Sequence, residues 1–70
     1  MPDKTLGEVL RELRESRSLT HAQLAEKAQV ALSMVLALEA GSQANPSKQV
    51  LHRIARALDV PARRLLEPGS

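Results

Sequence analysis

The chain contains no cysteine and no phenylalanine, tyrosine or tryptophan in its 70 residues. Without cysteine there is no disulfide framework and no thiolate metal site, and a reducing, cytoplasmic setting suits it. Without aromatic rings it lacks the stacking platforms on which single-strand nucleic-acid binders rely. The glycines stand apart at Gly7, Gly41 and Gly69, so there is no glycine-rich phosphate loop. His21 and His52 lie on separate elements with no helical His/Glu spacing, so no metal site is expected. No apolar run approaches the roughly 18 residues of a membrane span, and the first residues show no signal-peptide pattern. A chain of this length is expected to form one domain, residues 1–70 with an ordered core at about 5–67, burying only about 60% of its unfolded surface. Such a domain has little room for the roughly 300–1,000 Å³ pocket of a small-molecule substrate. These absences argue against an enzyme, a cofactor and a membrane protein.

Ten lysines and arginines stand against eight acids, for a net charge of +2. A mildly basic domain points weakly to nucleic acid, and equally to charge kept for solubility.

The organising stretch is Thr20 to Gly41. Thr20 and Gln23 have the spacing of a capping box, after which Leu24, Ala25 and Ala28 share one face of a short helix. Gln29-Val30 interrupts the pattern, Val35 and Leu38 restart it, and Gly41 supplies a left-handed stop. Two short helices about a tight turn form a helix-turn-helix, whose second helix is the part offered to a DNA major groove. Ahead of it, Met1 to Lys4 reads as a frayed leader. Thr5 with Glu8 caps a helix from about Leu6 to about Ser16, with Leu6, Val9, Leu10 and Leu13 as its apolar face. Leu19 is expected to plug the core.

Beyond Gly41, Ser42 to Ser47 is a loop, and Ser47 caps a fourth helix with the stripe Val50, Leu51, Ile54, Ala55 and Leu58. Asp59-Val60-Pro61 breaks the chain before a last helix at about Ala62 to Glu67, and Pro68-Gly69-Ser70 reads as a disordered tail. Five short helices and no strand predict an all-α fold.

In order and spacing these segments resemble the helix-turn-helix family of the phage Cro and lambda-type repressors and the XRE-like regulators. The resemblance rests on Leu-Arg-Glu at 10–12, Leu-Thr at 19–20 and Gln-Leu-Ala-Glu-Lys-Ala at 23–28. It continues with Leu-Glu-x-Gly at 38–41, Asn-Pro-Ser at 45–47 and Ile-Ala-Arg-Ala-Leu at 54–58, and so covers about Leu6 to Leu66. It implies a five-helix lambda-repressor-like bundle that binds double-stranded DNA as a transcription regulator, often as a homodimer. It also implies an ion pair between Arg11 and Glu39.

With Val35 and Leu38 turned inward, steps of about 100° per residue send Ser33 and Ala40 outward. Leu36 and Ala37 then lie beside them, and Leu32 and Met34 on the flanks. The resemblance places Leu32, Ser33 and Ala37 where the family puts base-reading side chains, usually Gln, Arg, Ser or Thr. It also sets Ala31 where a capping hydroxyl is common, and Gln29 where a turn glycine is common. The Arg, Gln and Asn that carry most hydrogen-bond readout are absent from this helix.

Two readings follow. Leu32, Met34 and Leu36 read thymine methyls while Ser33 bonds a base edge and Ala37 allows close approach. Alternatively these apolar residues bind a protein, or a second copy of the chain, as contiguous exposed apolar surface usually does. Packing on neighbouring helices is the lesser alternative for Met34, and less still for Leu36. A helix of this kind suits a redesigned family member as well as a natural one.

Phosphate contacts are expected at Thr20 and His21, where a helix start favours an anion. A second edge comprises Ser42, Gln43, Asn45, Ser47, Lys48 and Gln49, all of which also read as ordinary turn and cap residues. Arg17 and Lys27 add long-range attraction, whereas Arg53, Arg56, Arg63 and Arg64 read as a solvated or dimer-side face. Leu65 and Leu66 are placed to cover a dimer seam, with core packing the expected fate of at least one.

Overall fold

Local chemistry at each helix start sets the frame. The computed structural model describes residues 4–42 and 46–66. Thr5 Oγ1 accepts from Glu8 N–H while Thr5 N–H donates to the Glu8 carboxylate, both at 3.2 Å. This opens α1, Leu6–Ser16. Thr20 and Gln23 make the same reciprocal pair at 3.1 and 2.8 Å, opening α2, His21–Ala28. Ser47 Oγ accepts from Val50 N–H at 3.1 Å at the head of α4, Lys48–Leu58. Between them α3, Leu32–Ala40, starts from Ala31 with no side-chain cap. A single turn, α5, spans Arg63–Leu66 and starts one residue after the expected Ala62. Glu67, the leader residues Met1 to Asp3, the loop residues Gln43 to Asn45 and the tail Pro68 to Ser70 lie outside the described residues.

The first four helices all end alike. Ser18, Gln29, Gly41 and Asp59 adopt left-handed φ values of 57°, 59°, 77° and 59°. The following N–H then turns back to the helix: Leu19 to Arg14 C=O, Val30 to Ala25, Ser42 to Ala37 and Val60 to Ala55, at 3.0–3.2 Å. These bonds satisfy carbonyls that a helix end otherwise leaves free. Leu19, Val30 and Val60 then pack against the core, so each stop also anchors the next segment. Arg17 Nε donates to Leu58 C=O at 2.8 Å, which gives α4 a side-chain cap from the end of α1.

The core is aliphatic throughout. Leu10, Leu24, Val35, Ile54 and Leu58 are fully buried, joined by Leu38, Leu51 and Leu65. α2 packs on α4 and α3, α1 on α3, and α5 on α1 and α4. Gly7 makes the α1–α3 contact close: a Cβ there would stand 2.6 Å from Glu39 O and 2.7 Å from Leu38 O. Those are backbone atoms and cannot swing aside. Among the described residues no strand occurs, and no helix is long and apolar enough to cross a membrane.

Two substitutions test this frame. Ala31→Ser supplies the missing cap of α3 and should add about 1 kcal/mol of stability, seen as a melting temperature raised by roughly 4–8 °C. Gly7→Ala should instead cost about 1–3 kcal/mol, because α3 must move to admit the methyl. An unchanged melting temperature for Gly7→Ala would contradict the close contact.

Candidate nucleic-acid interface

One buried polar cluster holds α3 in place. Arg14, 8% exposed, lies on the α1 face that also carries Gly7 and Leu10. Its Nε donates to Glu39 Oε2 at 2.6 Å and its Nη2 to Oε1 at 3.3 Å, a bidentate pair between α1 and the last turn of α3. Nη1 donates to Leu19 C=O at 2.7 Å, which brings in the segment leading to α2. His21 Nε2 lies 3.1 Å from Glu39 Oε1, so the start of α2 joins the same carboxylate. The Glu39 hydrogen bond is the largest influence on Arg14 and holds its pKa above the ordinary arginine value. Among the described residues no buried side-chain polar atom lacks a partner.

The ion pair implied for Arg11 and Glu39 is therefore made by Arg14. Arg11 sits three residues earlier on α1 and faces solvent, where its Nε meets Glu15 at 3.3 Å. An exposed pair of that kind contributes only tenths of a kcal/mol. Gly7, Leu10 and Arg14 follow at steps of three and four and so share the buried face, a signal present in the sequence.

Clamping its C-terminal end leaves the rest of α3 projecting. Leu32 is 44% and Leu36 46% exposed, with Ser33 and Ala40 also open to solvent. Met34 is half-buried and packs against the core, so it offers an edge to the outer surface. Ala37 is half-buried beside Leu36. Val35 and Leu38 are inward, as their spacing predicts. Leu36 and Ala40 share an open depression of about 450 Å³ with His21, Arg11, Arg14, Glu15 and Glu39. An exposed leucine of α3 and the histidine that opens α2 thus meet at one rim.

The other polar candidates are partly occupied. Thr20 Oγ1 is taken by the Gln23 cap and Ser47 Oγ by the Val50 cap. Ser42 Oγ donates to Ala37 C=O at 3.3 Å, closing the end of α3. Lys48 and Gln49 are exposed at the head of α4, and Gln43 and Asn45 lie outside the described residues. Leu65 belongs to the core, whereas Leu66 is 36% exposed.

With this geometry fixed, comparison with known proteins is informative. The model of the helix-turn-helix domain matches residues 5–67. The HTH-type transcriptional regulator SinR of Bacillus subtilis (strain 168) is 36% identical over 62 residues, covering 89% of this chain and 56% of that protein. The chain thus spans little more than half the length of that curated relative. A crystal structure of the master regulator for biofilm formation SinR in complex with DNA superposes with a TM-score of 0.85 at 35% identity, covering 90% of this chain and 100% of that one. The DNA-binding domain of the P22 c2 repressor superposes at 0.83 with 21% identity over 96% of this chain and 87% of that one, a likeness of fold.

Arg14→Ala or Glu39→Ala strands a buried charge and should cost about 3–5 kcal/mol, enough to unfold most of a domain whose whole stability is of order 5 kcal/mol. Arg11→Ala should stay within about 0.5 kcal/mol. Chemical denaturation of the three variants checks the assignment, and equal losses for Arg11 and Arg14 would contradict it.

Proposed function

This chain belongs to the helix-turn-helix domain family, and from that membership we propose that it binds double-stranded DNA as part of a transcription regulator, acting by occupancy. The observation that carries the reading is the outer face of α3, rigidly held at its far end, with Leu32, Ser33 and Leu36 presented to solvent. The SinR–DNA complex is the relative that supports it. No catalytic step and no cofactor belongs to this role, which is carried out in the cytoplasm on the nucleoid.

In this reading α3 lies in the major groove. Leu32 and Leu36 cover thymine methyls, Met34 adds its exposed edge, and the Ser33 hydroxyl bonds a base edge. The small Ala37 and Ala40 let the backbone approach. Apolar contact with the C5-methyl is a recognised mode of readout and replaces the absent Arg and Gln contacts. Phosphates are met at the start of α2 by Thr20 and His21. Ser42, Gln43, Asn45, Ser47, Lys48 and Gln49 meet them at the other edge. Two copies pair on half-sites about 34 Å apart, with Leu66 in the seam.

A methyl group buried against leucine contributes about 0.8 kcal/mol, or roughly fourfold in affinity. Replacing thymine by deoxyuridine across a panel of thymine-rich duplexes should therefore weaken binding about fourfold at each contacted position. Leu36→Ala should erase much of that difference. Lys48→Ala should weaken all duplexes alike and lower the salt slope by about 0.9. Indifference to both thymine methyls and Lys48 would overturn the reading and assign the apolar face of α3 to a protein partner.

A further inference from the structure

Charge is unevenly distributed over the domain. On the α1–α3 side the cations are answered: Lys4 by Glu12, Arg11 by Glu15, and Arg14 by Glu39. Elsewhere, Lys27, Arg53 and Arg56 line a groove of about 460 Å³ between the end of α2 and the middle of α4, with Ala28, Gln29 and Ala57. Among the described residues no acidic one lines it. None of its cations joins an ion pair among the described residues. Arg53 Nη1 donates to Gln29 C=O at 3.3 Å, which steadies the guanidinium at the groove wall and leaves its other N–H groups free. The C-terminal end of α2 contributes about half a negative charge, and three cations outweigh it.

We propose that this groove is a docking site for an acidic segment of another protein. A trough between two helices takes projecting carboxylates, and the methyl groups of Ala28 and Ala57 suit the methylene stems that carry them. Arginine forks match carboxylates in bidentate geometry. The groove also shares no residue with α3, with the start of α2 or with the start of α4. It is therefore open to a partner while α3 is engaged, and the proposal stands independently of what α3 reads.

The test is a titration of the isotope-labelled chain with a short peptide rich in Glu and Asp, and with its Gln/Asn counterpart, followed by amide chemical shifts. The acidic peptide should shift Lys27 to Gln29 and Arg53 to Ala57, and the neutral one should not. The Arg56 side chain makes no hydrogen bond or ion pair among the described residues, so Arg56→Gln should keep the wild-type melting temperature and weaken the acidic peptide roughly tenfold. Lys27→Gln provides a second variant with the same expectation. Shifts spread evenly over all basic residues, or an equal response to the neutral peptide, would overturn the proposal. Displacement of the peptide from these residues by duplex DNA would assign the groove to nucleic acid and overturn it too.

Discussion

The bidentate contact between Arg14 and Glu39 is the constraint on which the arrangement of the other elements depends. Taking two charges out of water costs several kcal/mol per ion, and the cost is offset only when geometry is close and the remaining donors are satisfied. Here they are: Leu19 C=O takes one guanidinium nitrogen and His21 shares the carboxylate. One cluster therefore ties α1, the entry to α2 and the last turn of α3. Gly7 lets the same end of α3 settle against α1 at backbone distance. A helix of only nine residues is fixed at its C-terminal end and left free along its outer face.

That division explains how a small aliphatic core supports an exposed apolar surface. Burial is concentrated in leucines and isoleucine from all the helices, with no ring to fill space. Leu32 and Leu36 are not needed for it and remain outside. A contiguous apolar face that the fold does not bury marks an interaction surface, and the proposed contact with methyl groups in a DNA groove would cover it.

Much of this was legible in the sequence because the decisive chemistry is local. Thr5-Glu8, Thr20-Gln23 and Ser47 announce helix starts through bonds that span three residues. The helix ends fall where the sequence breaks its pattern, at Ser16, before Gln29, before Gly41 and before Asp59. Only Gly41 carries the expected residue, while Ser18, Gln29 and Asp59 take the left-handed conformation at a cost of about 1–2 kcal/mol, supported by the apolar residue that follows each. The partner of Glu39 is Arg14, three residues beyond the expected Arg11, and charge spacing alone does not separate the two. Burial does, and burial is decided by how α1 packs on α3 at Gly7. Arg17, expected to act at long range on DNA, is engaged by Leu58 C=O, a contact across 41 positions that no local pattern contains. The outward phase of α3 is recoverable from Val35 and Leu38, although the helix is apolar nearly all round.

The claim at the centre of this account is that an apolar α3 face reads duplex DNA. Selection of bound duplexes from a random library at two salt concentrations tests it most directly. An enriched motif with fixed thymine positions, persisting at the higher salt, is the predicted result, and its symmetry would report the pairing of two copies. Recovery of unrelated sequences whose binding disappears at moderate salt would show phosphate attraction alone and contradict the claim.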